Sequence, residues 1–544
     1  MDGNYCLEFD GISAKLYKGE DKEEYNLIHF NVEKFLITIT DNLNFIYNLA
    51  KTFCHQNYSY FNQFFSEEEL IYFTFHIYIY YSLHWDNIPK YSFSSLYIYF
   101  RLREFLNEFS KQRILDSLIL DYRYYDLTLL QRFIESFCKI NVKCKNKNNI
   151  IKFLISYESY ILLFYFLTRK LIIKSQRIEK IDILFIDNYD RYFDNKNFFD
   201  VLLNEDNFYH KLNIKKYKNK FIFYSKLGNK NILKYIRDSY RKFNYELFIE
   251  DIISLNSIFK FLSFYPKYNF EKIEILKSNI DKNNIEKKYI VYNFIDFIKR
   301  KFLFLVWLYI NIKNFIKKAE VKIVIGSSEQ ALTFYIINIA KNFLNKQIQT
   351  IAFSHEVITR KYLYIPYKSY SKFSNYPDLK VVFTQKGMEI IKNKYKYPSK
   401  ILLYEDPREI YIKNLPKRRK TILIVSQGFP DFYKQLFITL NKYKWILEKF
   451  KIYFKPHPAE NLNKDLLKNL ESNKIEIIRN LNFVPEYAIG NCSSLLKTLL
   501  VAGSKIYYTN KIFEDFLDKN IKEKAIYKDN VEEIFKDIIN NQSC

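Results

Sequence analysis

The stretch "YAIGNCSSLLKTLLVAGSKIYYT", Tyr487 to Thr509, carries the reading on which the fold turns. An apolar strand ends in Gly490, a serine pair at Ser493 and Ser494 opens an apolar helix, Gly503 closes it, and a second strand follows. Strand, helix and strand at this spacing predict a βαβ unit, and such units need a parallel sheet. The serines stand where a helix exposes unpaired amides and the positive end of its dipole, a place that suits an ordinary N-cap and equally a phosphate. Glycine is scarce, 9 of 544 residues, so those present are expected where the backbone requires them.

Working outward, "VIGSSEQAL" (Val324 to Leu332) echoes "AIGNCSSLL" (Ala488 to Leu496): apolar strand, glycine, serine pair, helix. Around the second stretch, "TILIVSQGF", "KIYFKPHP", "IEIIRN" and "KIYYT" read as strands, with "DFYKQLFITLNKYKWILEKF" as a helix. Around the first, "KIDILFIDNYD", "NKFIFYSKLG", "IQTIAFSHE" and "LKVVFTQKG" do the same. Proline and four consecutive basic residues in "NLPKRRK" (Asn414 to Lys420) read as a linker between the two series. Before about residue 179, three and four residue spacing in "NVEKFLITITDNLNFIYNLAKTF" and "FRLREFLNEFSKQRILDSLILDY" predicts helices. The expected fold is α/β: two Rossmann-like domains facing a cleft, residues 179–413 and 421–544, behind a mostly helical accessory region, 1–178.

The formal charge is 85 − 60 = +25. That balance suits nucleic acid, anionic lipid or phosphorylated substrates. Abundant Lys, Asn, Ile, Tyr and Phe are the residues of AT-rich codons, so the charge carries little weight, and no nucleic-acid module signature accompanies it. Six dispersed cysteines form no zinc spacing or disulfide framework, and "MDGNYCLEFDG" lacks a signal pattern, so a cytoplasmic chain is expected. The apolar runs "FLFLVWLYI" (Phe302 to Ile310) and "YILLFYFL" (Tyr160 to Leu167) are too short to span a bilayer and read as buried helices. A peripheral contact with the inner membrane face stays open. His29, His55, His76 and His84, scattered among aromatics, read as structural.

In an open parallel sheet, ligands bind beyond the carboxyl ends of the strands. His457 follows the strand "KIYFK" and is held between Pro456 and Pro458 in "KPHPAE", which restricts its backbone. His355 follows "QTIAFS" in the other predicted domain. A cleft between the domains would bring the two imidazoles together. No Asp-x-Asp pair, Walker A loop or Gly-x-Gly-x-x-Gly is present, so neither a bound metal nor another cofactor is expected.

The order strand, Lys-Pro-His-Pro, strand, Gly-Asn-Cys-Ser-Ser, helix, glycine, strand resembles bacterial surface-polysaccharide transferases of the two-domain GT-B type, over about residues 320 to 510. That group includes capsule polysaccharide transferases, polysialyltransferases and CDP-glycerol glycerophosphotransferases. "TIAFSHEVITRKY" is similar to their first-domain His-Gly segment, with Glu356 in place of the glycine. The resemblance implies a nucleotide-activated donor, CMP- or CDP-linked, and a surface glycan acceptor. It implies that Ser493 and Ser494 hold the donor phosphate, and to them we add Asn491 and Lys455 of the same two motifs. His457 would serve the leaving phosphate and His355 would be the acceptor's base, with Glu329 and Glu356 in reserve. The expected activity is metal-independent glycosyl transfer in capsule or lipooligosaccharide synthesis. The alternatives are a CDP-glycerol-type glycerophosphotransferase, an epimerase-like enzyme acting on nucleotide sugars, and a basic protein that binds nucleic acid or a membrane surface.

Overall fold

A computed structural model describes residues 5–9, 13–18, 21–26, 39, 41–83, 98–100, 102–103, 105–106, 115–121, 127–137, 141–145, 180–187, 220–224, 246–264, 268, 273, 276, 284–326, 332–344, 347–354, 375–394, 399–426, 430–456, 462, 464–491 and 493–540. They form three sheets with helices between them.

The front region opens with strands β1 (Tyr5–Phe9), β2 (Ser13–Lys18) and β3 (Asp21–Asn26) and continues through helices α1 (Leu43–Phe61) and α2 (Glu67–Leu83). Strand β4 (Leu115–Asp121), helix α3 (Thr128–Phe137) and strand β5 (Asn141–Lys145) complete it. Among the described residues of this region helix outweighs strand, and the five strands make a sheet in the order β3-β2-β1-β4-β5 that the spacing argument did not foresee. The end of "FRLREFLNEFSKQRILDSLILDY" is the strand β4, paired in parallel with β1 and β5, and not part of a helix. Short apolar runs fit a buried strand as well as a buried helix, and here the strand partners decided. Leu7, Phe9, Ala14 and Leu16 alternate inward on β1 and β2, a period-two signal.

The second sheet is wholly parallel. Its strands are β6 (Ile183–Asp187), β7 (Lys220–Tyr224), β8 (Glu246–Phe248), β9 (Ile323–Gly326), β10 (Gln349–Phe353), β11 (Leu379–Val382) and β12 (Lys400–Leu403), in the order β12-β11-β10-β9-β6-β7-β8. Between β8 and β9 run helices α4 (Ile285–Phe297) and α5 (Leu303–Lys318), joined by a π-helical turn, and α6 (Leu332–Ala340) precedes β10. Residues 303–309 of the apolar run are all buried in α5. The run at 160–167 lies outside the described residues.

Aromatic contacts fuse this lobe to the front region. Phe53 of α1 meets Phe302 edge-on at 5.1 Å, Tyr78 of α2 meets Phe294 of α4 at 5.0 Å, and Phe65 stacks on Tyr309 of α5 at 5.3 Å. Tyr78 also donates a 2.9 Å hydrogen bond to Asn293, and buried Glu69 is satisfied by Tyr309 and Lys313. One continuous core runs from Leu7 to Ala352, so the front region is not a detached appendage. His76 is 3 % exposed within it, and burial lowers its imidazole to about 3, a structural neutral histidine as expected. His55 pairs with Glu67 on the surface; His29 and His84 lie outside the described residues.

The third sheet is again wholly parallel. After helix α7 (Gln385–Glu389) and helix α8 (Pro407–Lys413) come β13 (Lys417–Val425), α9 (Pro430–Lys442), β14 (Lys451–Lys455), α10 (Lys464–Ser472) and β15 (Glu476–Ile477). Then follow β16 (Val484–Gly490), α11 (Ser494–Val501), β17 (Lys505–Tyr508), β18 (Ala525–Tyr527) and α12 (Val531–Asn540). The strand order is β15-β14-β13-β16-β17-β18. Successive residues of β13 feed opposite faces: Ile422 and Ile424 join a core with α9, α10 and α12, while Leu423 and Val425 join one with α8 and α11. Each such fully buried aliphatic side chain is worth roughly 1.5–3 kcal/mol.

Two expectations change at this junction. The basic residues Lys417 to Lys420, read as linker, are the exposed first part of the central strand β13: Lys417 and Arg418 pair with Val484 and Pro485 of β16, and a register shift follows before Ile422. Helix α8, expected with the first lobe, sends Ile412 into the core of the second. The helix expected over "DFYKQLFITLNKYKWILEKF" is broken into Pro430–Lys442 and Ile446–Lys449.

Candidate active site

Counted from its first strand, each parallel lobe has the order 3-2-1-4-5-6, with the first extended by a seventh strand. The chain reverses direction across the sheet between strands 1 and 4, and this is where an open parallel sheet forms its ligand crevice. Strand 4 is β9 in the first lobe and β16 in the second, so the two echoed stretches occupy equivalent places. Each ends in a glycine pressed by the following helix. A Cβ on Gly326 would stand 2.7 Å from the Phe334 ring, and one on Gly490 would stand 3.0 Å from both Leu496 and the Val425 carbonyl oxygen.

In the second lobe β14, β13 and β16 end side by side: Val425 is in register with Lys455 on one flank and Gly490 on the other. Lys455 and Gly490 are therefore two strand spacings apart, roughly 10 Å. The Ser426 amide donates to the Lys455 carbonyl at 3.0 Å. Beyond Gly490, the buried Asn491 Oδ1 has no hydrogen-bond partner. Ser493 caps α11 in extended geometry (φ −146°, ψ 139°), its hydroxyl accepting from the Leu495 amide at 3.3 Å. Ser494 follows as the first helical residue, half-buried. The Lys455 ammonium is engaged by the Arg479 carbonyl oxygen, so it would have to exchange a partner to reach a ligand at this edge.

The four residues expected at the donor phosphate, Lys455, Asn491, Ser493 and Ser494, thus share one sheet edge. His457, His355, Glu329 and Glu356 lie outside the described residues. The strand that leads to His457 ends beside β13, and the strand that leads to His355 ends at Phe353, with Ser354 next. Ser354 is 2 % exposed, and its hydroxyl has no hydrogen-bond partner.

The carboxyl edges of the lobes meet. From the first lobe, the segment after β11 offers the Phe383 carbonyl oxygen 3.5 Å from the Lys497 ammonium of α11. Three residues on, Lys386 donates through its amide to Asp518 (3.4 Å) and through its ammonium to the Glu514 carbonyl (3.2 Å), both beyond β17. Phe353, next to Ser354, stacks on Phe383 with ring centroids 6.0 Å apart. The end of β10 and the start of α11 therefore lie on either side of one contact.

That contact includes a buried ion pair. Lys497 is 2.7 Å from Glu409 of α8, with both side chains under a tenth exposed. Burial raises the Glu409 carboxyl above its ordinary range, Lys497 opposes that shift and nearby Asp406 adds to it. Removing one member of such a pair costs about 3–5 kcal/mol, because the other is left charged and desolvated. Sequence reading passed over Lys497 and Glu409; the signal was a single lysine inside the apolar run "LLKTLL".

A cavity of about 690 Å³ lies at the opposite, amino edge of this sheet, lined by Arg418, Lys420, Lys449, Lys451, Tyr453 and Lys474 among others. Helix carboxyl ends gather there, and cations complement them: Lys449 ends its helix and Lys474 follows the end of α10. It is the wrong edge for the crevice at the strand reversal. Among the described residues, no group of three or more His, Cys, Asp or Glu could hold a metal ion, and no helix is long and apolar enough to cross a membrane.

The class so defined is an α/β protein of two doubly wound lobes that meet at their carboxyl edges, with a serine-capped helix at the reversal point of the second. Within that class the chain belongs to the family of an uncharacterized protein of Methanocaldococcus jannaschii, to which it is 35% identical over 498 residues, 88% of this chain and 91% of that protein. No family model matches the chain. Among solved structures it is similar to the UDP-GlcNAc 2-epimerase of Methanocaldococcus jannaschii (10% identity, 66% of this chain and 91% of that one, TM-score 0.35). It is also similar to the UDP-GlcNAc 2-epimerase of Neisseria meningitidis bound to UDP-GlcNAc (10% identity, 67% and 92%, TM-score 0.36). A wall teichoic acid polymerase aligns at 11% identity over 70% of this chain and 88% of that one, with a TM-score of 0.33. The fold assignment rests on the strand orders above, not on these likenesses.

Proposed function

We propose that this chain is a GT-B glycosyltransferase that takes a sugar from a CMP- or CDP-linked donor to a growing surface glycan, working in the cytoplasm at the inner membrane face. The second lobe would hold the donor and the first the acceptor. Supporting this above all is the serine-capped start of α11 at the strand reversal, beside the end of β14 and across a junction from the end of β10. The amides of α11 and the hydroxyls of Ser493 and Ser494 would bind the donor phosphate. His355 takes the proton of the acceptor hydroxyl as its oxygen bonds to the sugar carbon. The bond from that carbon to the phosphate oxygen breaks, its electron pair stays on the phosphate, and His457 supplies a proton or hydrogen bond there. Glu329 and Glu356 are the reserve bases. A glycerol phosphate donor would use the same phosphate site.

The test is a melting-temperature and calorimetric screen of CMP, CDP, UDP and GDP. Wild type should be stabilised selectively by CMP or CDP, with binding lost in His457→Ala and in the double Ser493→Ala/Ser494→Ala. Equal shifts in wild type and the serine variant, or no shift with any nucleotide, would sink the reading. Turnover of a nucleotide sugar without acceptor would make the protein an epimerase-like enzyme instead.

A further inference from the structure

We propose that Lys497 is a positioning residue, which with Glu409 pins the connecting helix α8 against α11 and so fixes the mouth of the anion site relative to the first lobe. The proposal rests on reading the start of α11 as the donor-phosphate site. Lys497 follows Ser494 by three residues and Ser493 by four, one turn along the same helix face. A leucine would satisfy the core at this place, where Leu496, Leu499 and Leu500 are already buried. The chain instead buries an ammonium and divides it between two partners of different origin. Glu409 Oε1, at 2.7 Å, comes from the helix that joins the lobes, and the Phe383 carbonyl, at 3.5 Å, comes from the first lobe itself. In this proposal the confined charge pair selects one arrangement, where an apolar contact in its place would tolerate sliding. Rotation of α8 leaves an unpaired buried charge, and retreat of the Phe383 segment takes from the buried ammonium its second acceptor, so the register of the first lobe is transmitted to the start of α11.

Four full-length proteins test this: wild type, Lys497→Met, Glu409→Leu and the double variant, compared by melting temperature, small-angle scattering and calorimetric binding of CDP. Each single variant should melt lower, because it strands its partner. The double variant should regain the wild-type melting temperature, yet scatter as a broader range of lobe separations and bind CDP about tenfold more weakly. If a single variant fails to fold, the double still carries the test. A double variant with the wild-type scattering curve overturns the proposal, and one that stays destabilised makes the pair a stability contact and overturns it too. If wild type binds no CDP, the donor reading fails and scattering alone decides the positioning role.

Discussion

Gly326 and Gly490 show how one residue sets the geometry of a site. In both lobes the helix after the fourth strand must start close over the sheet edge, and any Cβ there enters occupied space. At Gly490 one obstacle is the Val425 backbone oxygen, which cannot swing aside as a side-chain tip can. Gly490→Ala is therefore predicted to destabilise the protein by about 1–3 kcal/mol, as other overpacked positions do. It should also displace the start of α11 and weaken the proposed nucleotide binding beyond what the melting temperature explains. Chemical denaturation paired with calorimetry would check it, and an unaltered melt would contradict the geometry. The glycine was visible in the sequence because glycine is so rare in this chain. The unpartnered Ser354 hydroxyl was not, since a serine after a strand looks the same whether or not a neighbour satisfies it.

At the scale of elements, α12 closes one face of the second lobe against α9. Val531, Ile534, Phe535 and Ile538 supply its buried face, and Glu532 on its first turn ties it to the end of α9. Hydrogen bonds from Lys442, Lys536 and Tyr443 lower the Glu532 carboxyl from an ordinary 4.5 to about 2. A depressed acid contributes stability above its unfolded value and loses it as pH falls through its folded value. Glu532→Gln should thus melt below wild type above about pH 4.5, with the gap closing as pH falls to about 2; a gap that persists at the acid end would refute the assignment. Helix α11 was legible, because its serine cap, apolar run and closing glycine all stand in the sequence. The strand β4 was misread as helix because its apolar run fits either period, and its partners β1 and β5 are distant in sequence.

The whole molecule divides by packing rather than by composition. The front region and the first parallel lobe share one core, whereas the second lobe has its own core on each face of its sheet and takes α8 with it. A fragment of residues 404–544 is predicted to unfold cooperatively on its own, while residues 179–403 without the front region should aggregate, because Phe302, Phe294 and Tyr309 would lose their aromatic partners. Circular dichroism melts and gel filtration of the two fragments decide this, and a soluble, cooperative 179–403 fragment would disprove the shared core. The sequence by itself determined the alternation of strand and helix in two series, the glycine and serine turns that end two strands, and therefore two doubly wound sheets; those are local periods and local caps. Only the tertiary structure decided that "PKRRK" runs into a central strand, that α8 crosses to the second lobe and that Lys497 meets Glu409 and Phe383. Each depends on which distant surface supplies the missing hydrogen bonds or countercharge, and nothing in a short window of residues encodes the identity of that surface.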